Sequence, residues 1–204
     1  MIDSLNLLDG DIQRGKLFGT EGYIANKYFA CLRKLHAFPG RKPRERDEFN
    51  SALNYGYGIL YDEVERACFY VGLDPYMGLY HTERYGKPSL VLDSVEELRV
   101  PIIDLTIFPL FLNKQMEKAE NFEPIQPGVC RLSNDGKRKI VQAVYKRFNG
   151  QVFCDGKRRE VKVVIRHQMQ CLVQHFLGKL SGYEPFRFDA VKEHLAKEGQ
   201  LSLI

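Results

Sequence analysis

The sequence predicts an all-α protein with little or no β structure, on three observations. Apolar residues recur at three- and four-residue steps through the longest stretches, no segment alternates apolar and polar residues with period two, and helix-capping residues punctuate the chain at sensible intervals. The length of 204 residues allows a buried core without disulfide staples. Hydrophobic residues at 44% and charged residues at 27% are globular values, which exclude a disordered or collagen-like chain.

The elements follow in order. Thr20 is placed to cap a helix through about Leu35, with Ile24, Tyr28, Cys31, Leu32 and Leu35 on one stripe, ending near Pro39-Gly40. Asp47 is a good N-cap for a long second helix, in which Leu53, Leu60, Val64, Ala67, Cys68 and Val71 share a face until Gly72 ends it. Leu73-Asp74-Pro75 turns the chain, and a loop through Gly86-Lys87-Pro88 leads to Ser89, read as the cap of a helix from Leu90 to about Arg99. Pro101 starts or kinks the next helix, which runs toward Lys118. Residues Asn121 to Leu132 are Pro/Gly-rich, with room for a short hairpin. Ser133 caps a helix to about Phe148, Asn149-Gly150 turns, and Arg159 to Leu180 reads as a last strong helix, β-branched and ambiguous at Val161 to Ile165. The domain organisation expected is one helical domain over residues 1–188 with a polar tail over 189–204.

The most apolar stretch, Val100 to Leu112, is too short and too interrupted by Pro and Asp104 to span a bilayer. The N-terminus shows no basic segment followed by an apolar run, so a cytoplasmic location and no membrane partner are expected. Five cysteines, odd in number and never spaced as C-x-x-C, support neither a disulfide framework nor a zinc knuckle. Net charge is only +4, but Arg33 to Arg46 holds six basic residues against Glu45 alone, and Arg131 to Arg166 holds eleven against Asp135, Asp155 and Glu160. Such stretches either line solvated helix faces or follow a polyanion.

One constellation carries chemistry. His81 lies on a Gly-bounded loop, and 12 and 15 residues later come Asp93 and Glu96, i,i+3 neighbours on the expected helix. An imidazole with carboxylates suits Mn²⁺ or Mg²⁺ better than structural zinc, and Arg84 and Lys87 place cations beside it, as a phosphate site requires. Taken alone the signal is weak, and the same residues read more readily as a surface or hydrogen-bonded histidine among solvated charges.

The run Asn50-Ser51-Ala52-Leu53-Asn54-Tyr55-Gly56-Tyr57-Gly58-Ile59-Leu60-Tyr61, then Gly72-Leu73-Asp74-Pro75, Gly78-Leu79-Tyr80-His81, and Ser89-Leu90-Val91-Leu92-Asp93 with Glu96 and Arg99, resembles the helical catalytic domain of the CRISPR spacer-acquisition integrase family. The likeness continues through Phe122-Glu123, Gly128-Val129, Leu132-Ser133, Gly136-Lys137, Gln168 and Tyr183-Glu184-Pro185-Phe186, covering about residues 5 to 186. The resemblance implies a metal-dependent DNA endonuclease and integrase that inserts short fragments into a repeat array by 3′-hydroxyl attack on phosphodiesters, using Mg²⁺ or Mn²⁺. It implies Glu21, in Gly19-Thr20-Glu21-Gly22, together with His81 and Glu96 as catalytic metal ligands, with Asp93 beside the metal as a supporting group or further ligand. Asn50, Asn54 and Tyr55 match polar positions facing the same cleft, and Arg41, Lys42, Arg44, Arg84 and Lys87 are the expected phosphate contacts. Tyr57 and Tyr61 read as core, and His36, His167, His175 and His194 as structural or surface residues.

Double-stranded DNA is the partner so implied, both as incoming fragment and as repeat target. A homo-oligomer, dimer or tetramer, is expected because two insertions a fixed distance apart need two active sites. Typical members carry an N-terminal β-rich domain that docks a small adaptation partner protein. Here nine residues precede Gly10, so the expectation is a short form without that domain and with its usual partner in question. The contrasting reading is a catalytically silent DNA-binding module on the same helical fold.

Overall fold

The computed structural model describes residues 7–35, 38–42, 47–79, 85–154 and 156–187, with side chains from residue 19 onward except at 34 and 35. His36, His81, Arg44, Arg84 and His194, the domain boundary expected at 188 and the tail 189–204 lie outside the described residues. The chain divides into two compact units, Met1–Glu45 and Arg46–Ile204.

The first unit contains helix α1 (Leu7–Leu35). It begins well before the expected cap at Thr20, because no proline interrupts residues 7–35 and glycines at 10, 15, 19 and 22 weaken a helix without breaking it. Thr20 and Glu21 therefore sit inside the helix rather than in its first turn. After α1, Phe38 is buried and packs on Phe29 at a centroid distance of 5.9 Å.

In the second unit, α2 (Glu48–Val71) is the central helix, bounded as its end signals require. The Asp47 side chain accepts from the Asn50 N–H, and Gly72, at φ 81°, takes the left-handed conformation that closes a helix. Its apolar face, with Leu53, Leu60 and Val64 all 0% exposed, is covered by later elements. These include α7 (Asn134–Phe148), capped by Ser133, and α8 (Val161–Phe176).

The expected helix from Leu90 to Arg99 is instead three short pieces: α3 (Ser89–Ser94), α4 (Glu96–Leu98) and a π-helical turn (Arg99–Asp104). Ser89 is the first helical residue rather than the cap, and its hydroxyl donates to the Lys87 carbonyl. Pro101 explains the widened turn: it has no N–H to donate and its ring crowds the carbonyl four residues back. The Leu105 N–H then bonds to Val100 O, while the Arg147 guanidinium from α7 donates to Pro101 O from Nε (3.1 Å) and Nη2 (2.8 Å). Helix α5 (Leu105–Leu112) carries on past Pro109, and Phe111 stacks on Phe49 at 3.7 Å.

A one-turn helix, α6 (Lys118–Asn121), leads into the hairpin β1 (Phe122–Gln126) and β2 (Val129–Leu132), paired antiparallel with Phe122 opposite Leu132. A second hairpin pairs β3 (Gln151–Cys154) with β4 (Lys157–Glu160), and β4 takes Arg159 and Glu160, the expected start of the last helix. The β-branched run from Val161 is helical, as the first turn of α8, which ends at Phe176 rather than Leu180. With only two two-stranded sheets, the described residues are predominantly helical, as the apolar periodicity requires. No helix among them is long and apolar enough to cross a membrane.

Candidate functional site

The site in the second unit is assembled where α2 faces α4 and the π-helical turn. Tyr57 and Tyr61, one helical turn apart on α2, flank the Arg99 guanidinium, whose carbon lies 5.4 Å and 5.8 Å from their ring centres. Arg99 Nη2 donates to Tyr61 Oη at 2.8 Å, and Nη1 stands 2.6 Å from Glu96 Oε1. Burial by itself would lower the guanidinium pKa; the Glu96 carboxylate and the two tyrosines outweigh it and push it up, so Arg99 is a fixed cation. Its Nε is buried with no hydrogen-bond partner among the described residues. Tyr57 Oη donates to Oδ1 of Asp104, a fully buried carboxylate in the π-helical turn, at 2.5 Å.

Asp93 does not share an unbroken helix face with Glu96, because the helix breaks at Val95 between them. Its Oδ2 accepts the Leu79 N–H at 2.7 Å, tying the loop after α2 to α3, and the Leu90 N–H donates to Pro75 O across the same junction. Asp93 thus holds the chain at Leu79, where the described segment 47–79 ends. Gly86 (φ 72°) and the half-buried Lys87 lead into α3.

Glu97 points away from this cluster. Its Oε1 accepts from Tyr183 Oη at 2.6 Å and its Oε2 from the Phe186 N–H at 2.5 Å. Burial raises its carboxyl above the usual range despite these two donors, and burial beside Glu97 likewise raises the Tyr183 phenol.

Of the residues expected from sequence, Glu96, Asp93 and Lys87 are described here, and Glu21 is an exposed residue of the first unit. Arg41 is half-buried and Lys42 exposed in that unit. Asn54 and Tyr55 are half-buried on α2. Asn50 is fully buried, and its Nδ2 donates to Asp47 Oδ2 at 2.7 Å, so this amide is enclosed in the helix cap rather than offered to a ligand. Among the described residues no three His, Cys, Asp or Glu side chains converge as a metal site. Sequence reasoning placed Tyr61 in the core and gave Arg99 no role. The signals that mark them are the four-residue tyrosine spacing and the placing of Arg99 three residues after Glu96.

The family model described as CRISPR associated protein Cas1 matches residues 2–146. The chain is 38% identical over 177 residues to a CRISPR-associated endonuclease Cas1 from Thermus thermophilus, covering 83% of this chain and 53% of that protein. Among solved structures, a casposase bound to integration product aligns with a TM-score of 0.77 at 29% identity, over 84% of this chain and 52% of the other. A CAS1 protein from Thermotoga maritima aligns at TM-score 0.73 and 22% identity, over 81% and 53%, a likeness of fold. The chain thus spans about half the length of these relatives.

Proposed function

Because the chain belongs to the CRISPR associated protein Cas1 family, we propose that it supplies the catalytic helical part of a metal-dependent DNA endonuclease and integrase. The reading rests on one observation: the family match runs through Glu96, and that carboxylate is held beside a fixed cation, Arg99, itself bonded to Tyr61. One relative is a CRISPR-associated endonuclease and one structural neighbour is a casposase bound to integration product, which supports this reaction class.

Glu21, His81 and Glu96 would hold the ion, with Asp93 beside it. Carboxylate oxygens with one imidazole form a donor set that fits Mg²⁺ or Mn²⁺. When bound, such an ion supplies charge stabilisation at a phosphodiester oxygen and at the attacking and leaving hydroxyls. Arg99 contributes a second positive charge next to Glu96, and Tyr61 fixes where the guanidinium plane lies. In strand transfer the 3′-hydroxyl oxygen of the incoming fragment attacks phosphorus at the repeat boundary. A new phosphodiester forms, and the original bond breaks to release the target's 3′-hydroxyl, which takes up the proton. One phosphodiester replaces another, so no energy cofactor is needed and the protein's task is positioning. Water in place of the hydroxyl gives cleavage.

Arg41, Lys42, Arg44, Arg84, Lys87 and the basic stretch from Arg131 to Arg166 would follow the duplex phosphates, which makes binding salt-dependent and largely indifferent to sequence. Two active sites per insertion imply a homo-oligomer. The test is an integration and nicking assay with purified protein, supercoiled target, a short duplex with free 3′ ends and Mn²⁺ or Mg²⁺, with chelator as control. Strand transfer that vanishes with chelator and in His81→Ala supports the reading. Duplex binding with no metal-dependent cleavage or joining overturns it in favour of a silent binding module.

A further inference from the structure

Tyr183-Glu184-Pro185-Phe186 belongs to the motifs of the chain but has no part in the chemistry just described. It lies 86 residues from Glu97 in sequence, yet Tyr183 Oη and the Phe186 N–H close on the two oxygens of that one carboxylate, and Phe186 is 8% exposed. Glu97 adjoins Glu96 on α4, a helix of only three residues. Three residues do not make a stable helix alone; α4 runs directly into the π-helical turn and is packed through the buried Leu98, and the Glu97 contacts add a tie to a distant segment. Successive helical residues project about 100° apart, so Glu97 reaches toward the 183–186 segment while Glu96 reaches toward Arg99.

We infer that Glu97 is a positioning residue: its two-point grip on Tyr183 and Phe186 fixes α4 and so sets the direction of the Glu96 carboxylate toward its ion and Arg99. This rests on the reading of Glu96 as a ligand. The clamp works as the outer hydrogen bonds of metal sites do, by holding a ligand's backbone in one orientation rather than by touching the ion. Gln at position 97 can serve both partners, its carbonyl accepting from the Phe186 N–H and its amide donating to the Tyr183 oxygen, whereas Ala serves neither. Phe at position 183 removes one of the two contacts and keeps the packing.

The experiment uses the full chain in five forms: wild type, Glu97→Ala, Glu97→Gln, Tyr183→Phe, and Ile140→Val as a core control on α7 that lowers stability away from the site. DNA nicking is measured against Mn²⁺ concentration, well below every variant's Tm, alongside hydrogen exchange of the peptides covering residues 89–104. In Glu97→Ala the Mn²⁺ concentration for half-maximal nicking rises about tenfold and exchange over 89–104 quickens. Tyr183→Phe moves both in the same direction by less, and Glu97→Gln and Ile140→Val leave the Mn²⁺ dependence near wild type. Equal Mn²⁺ dependence in Glu97→Ala and Ile140→Val overturns the inference, because the residue then acts on stability alone. Should the wild type show no Mn²⁺-dependent nicking, the functional reading fails by itself. The exchange measurement then decides the clamp: quickened exchange over 89–104 in Glu97→Ala supports it, and unchanged exchange overturns it.

Discussion

Arg99 Nη1 stands 2.6 Å from Glu96 Oε1, three residues away, while Nη2 of the same guanidinium bonds to Tyr61 on another helix. A surface i,i+3 ion pair of this kind would be worth little. Here the cation is flanked by two aromatic rings and anchored to a phenol, so the carboxylate meets a rigid partner rather than a mobile one. Glu96→Gln keeps the shape and removes the charge. Metal-dependent nicking should fall by about a hundredfold or more, while duplex affinity measured by fluorescence anisotropy stays close to wild type. A parallel loss of DNA affinity would mean that Glu96 serves binding instead.

Gly136 is required by a close approach. A Cβ built there would lie 2.2 Å from the Asn121 carbonyl oxygen, a backbone atom that Ser133 N–H also holds in place. Gly136→Ala should cost at least about 1–3 kcal/mol by urea unfolding. Gly58 is the matched control. Nothing lies within 4 Å of a Cβ there, and Gly58→Ala in the middle of α2 should gain about 0.5–1 kcal/mol.

Glu48, in the first turn of α2, pairs with Lys118 Nζ at 2.6 Å. Burial alone would raise this carboxyl; the hydrogen bond and charge of Lys118 outweigh burial and hold it below its ordinary value. A depressed carboxyl contributes stability that is present above the unfolded-state pKa and lost as pH falls through the lower folded-state value. Lys118→Met should therefore lower Tm slightly at neutral pH, less so in high salt. The gap from wild type should close as pH drops through the carboxylate range. A gap that persists in strong acid would assign the loss to packing.

The thiols should separate by burial. Cys68 is fully buried, and burial with the nearby Glu65 charge raises its pKa to about 12, whereas Cys31 is exposed. Iodoacetamide near pH 8 attacks thiolates, so peptide mass spectrometry of the native protein should find Cys31 alkylated and Cys68 untouched until denaturant is added. Early labelling of Cys68 would show that the α2–α8 contact opens.

How much of this was legible depended on the range of the forces involved. Asp47 and Gly72 announce α2 because a cap and a left-handed terminus are decided within four residues. Ser133 announces α7 for the same reason. The β3–β4 hairpin was missed although Asp155-Gly156, a dipeptide suited to tight hairpin turns, stands between its strands. Its strand β4 is Lys-Arg-Arg-Glu, which has no apolar alternation to read and only one half-buried position. Thr20 was assigned a cap because its side chain is of the right type, but a cap is needed only where a helix begins.

By itself the sequence determined the helical class, the extent of α2 and the acidic residues Asp93 and Glu96 at their spacing. Each of these follows from side-chain type and short separations, which unfold little when read along the chain. The tertiary structure alone decided that Pro101 opens a π-helical turn gripped by Arg147, and that Glu96 faces a guanidinium held by Tyr61. Those contacts join residues 38 to 46 positions apart, and the pull between Glu97 and Tyr183 spans 86. At such separations the partner is selected by which surfaces pack together, and no local preference along the chain encodes that choice.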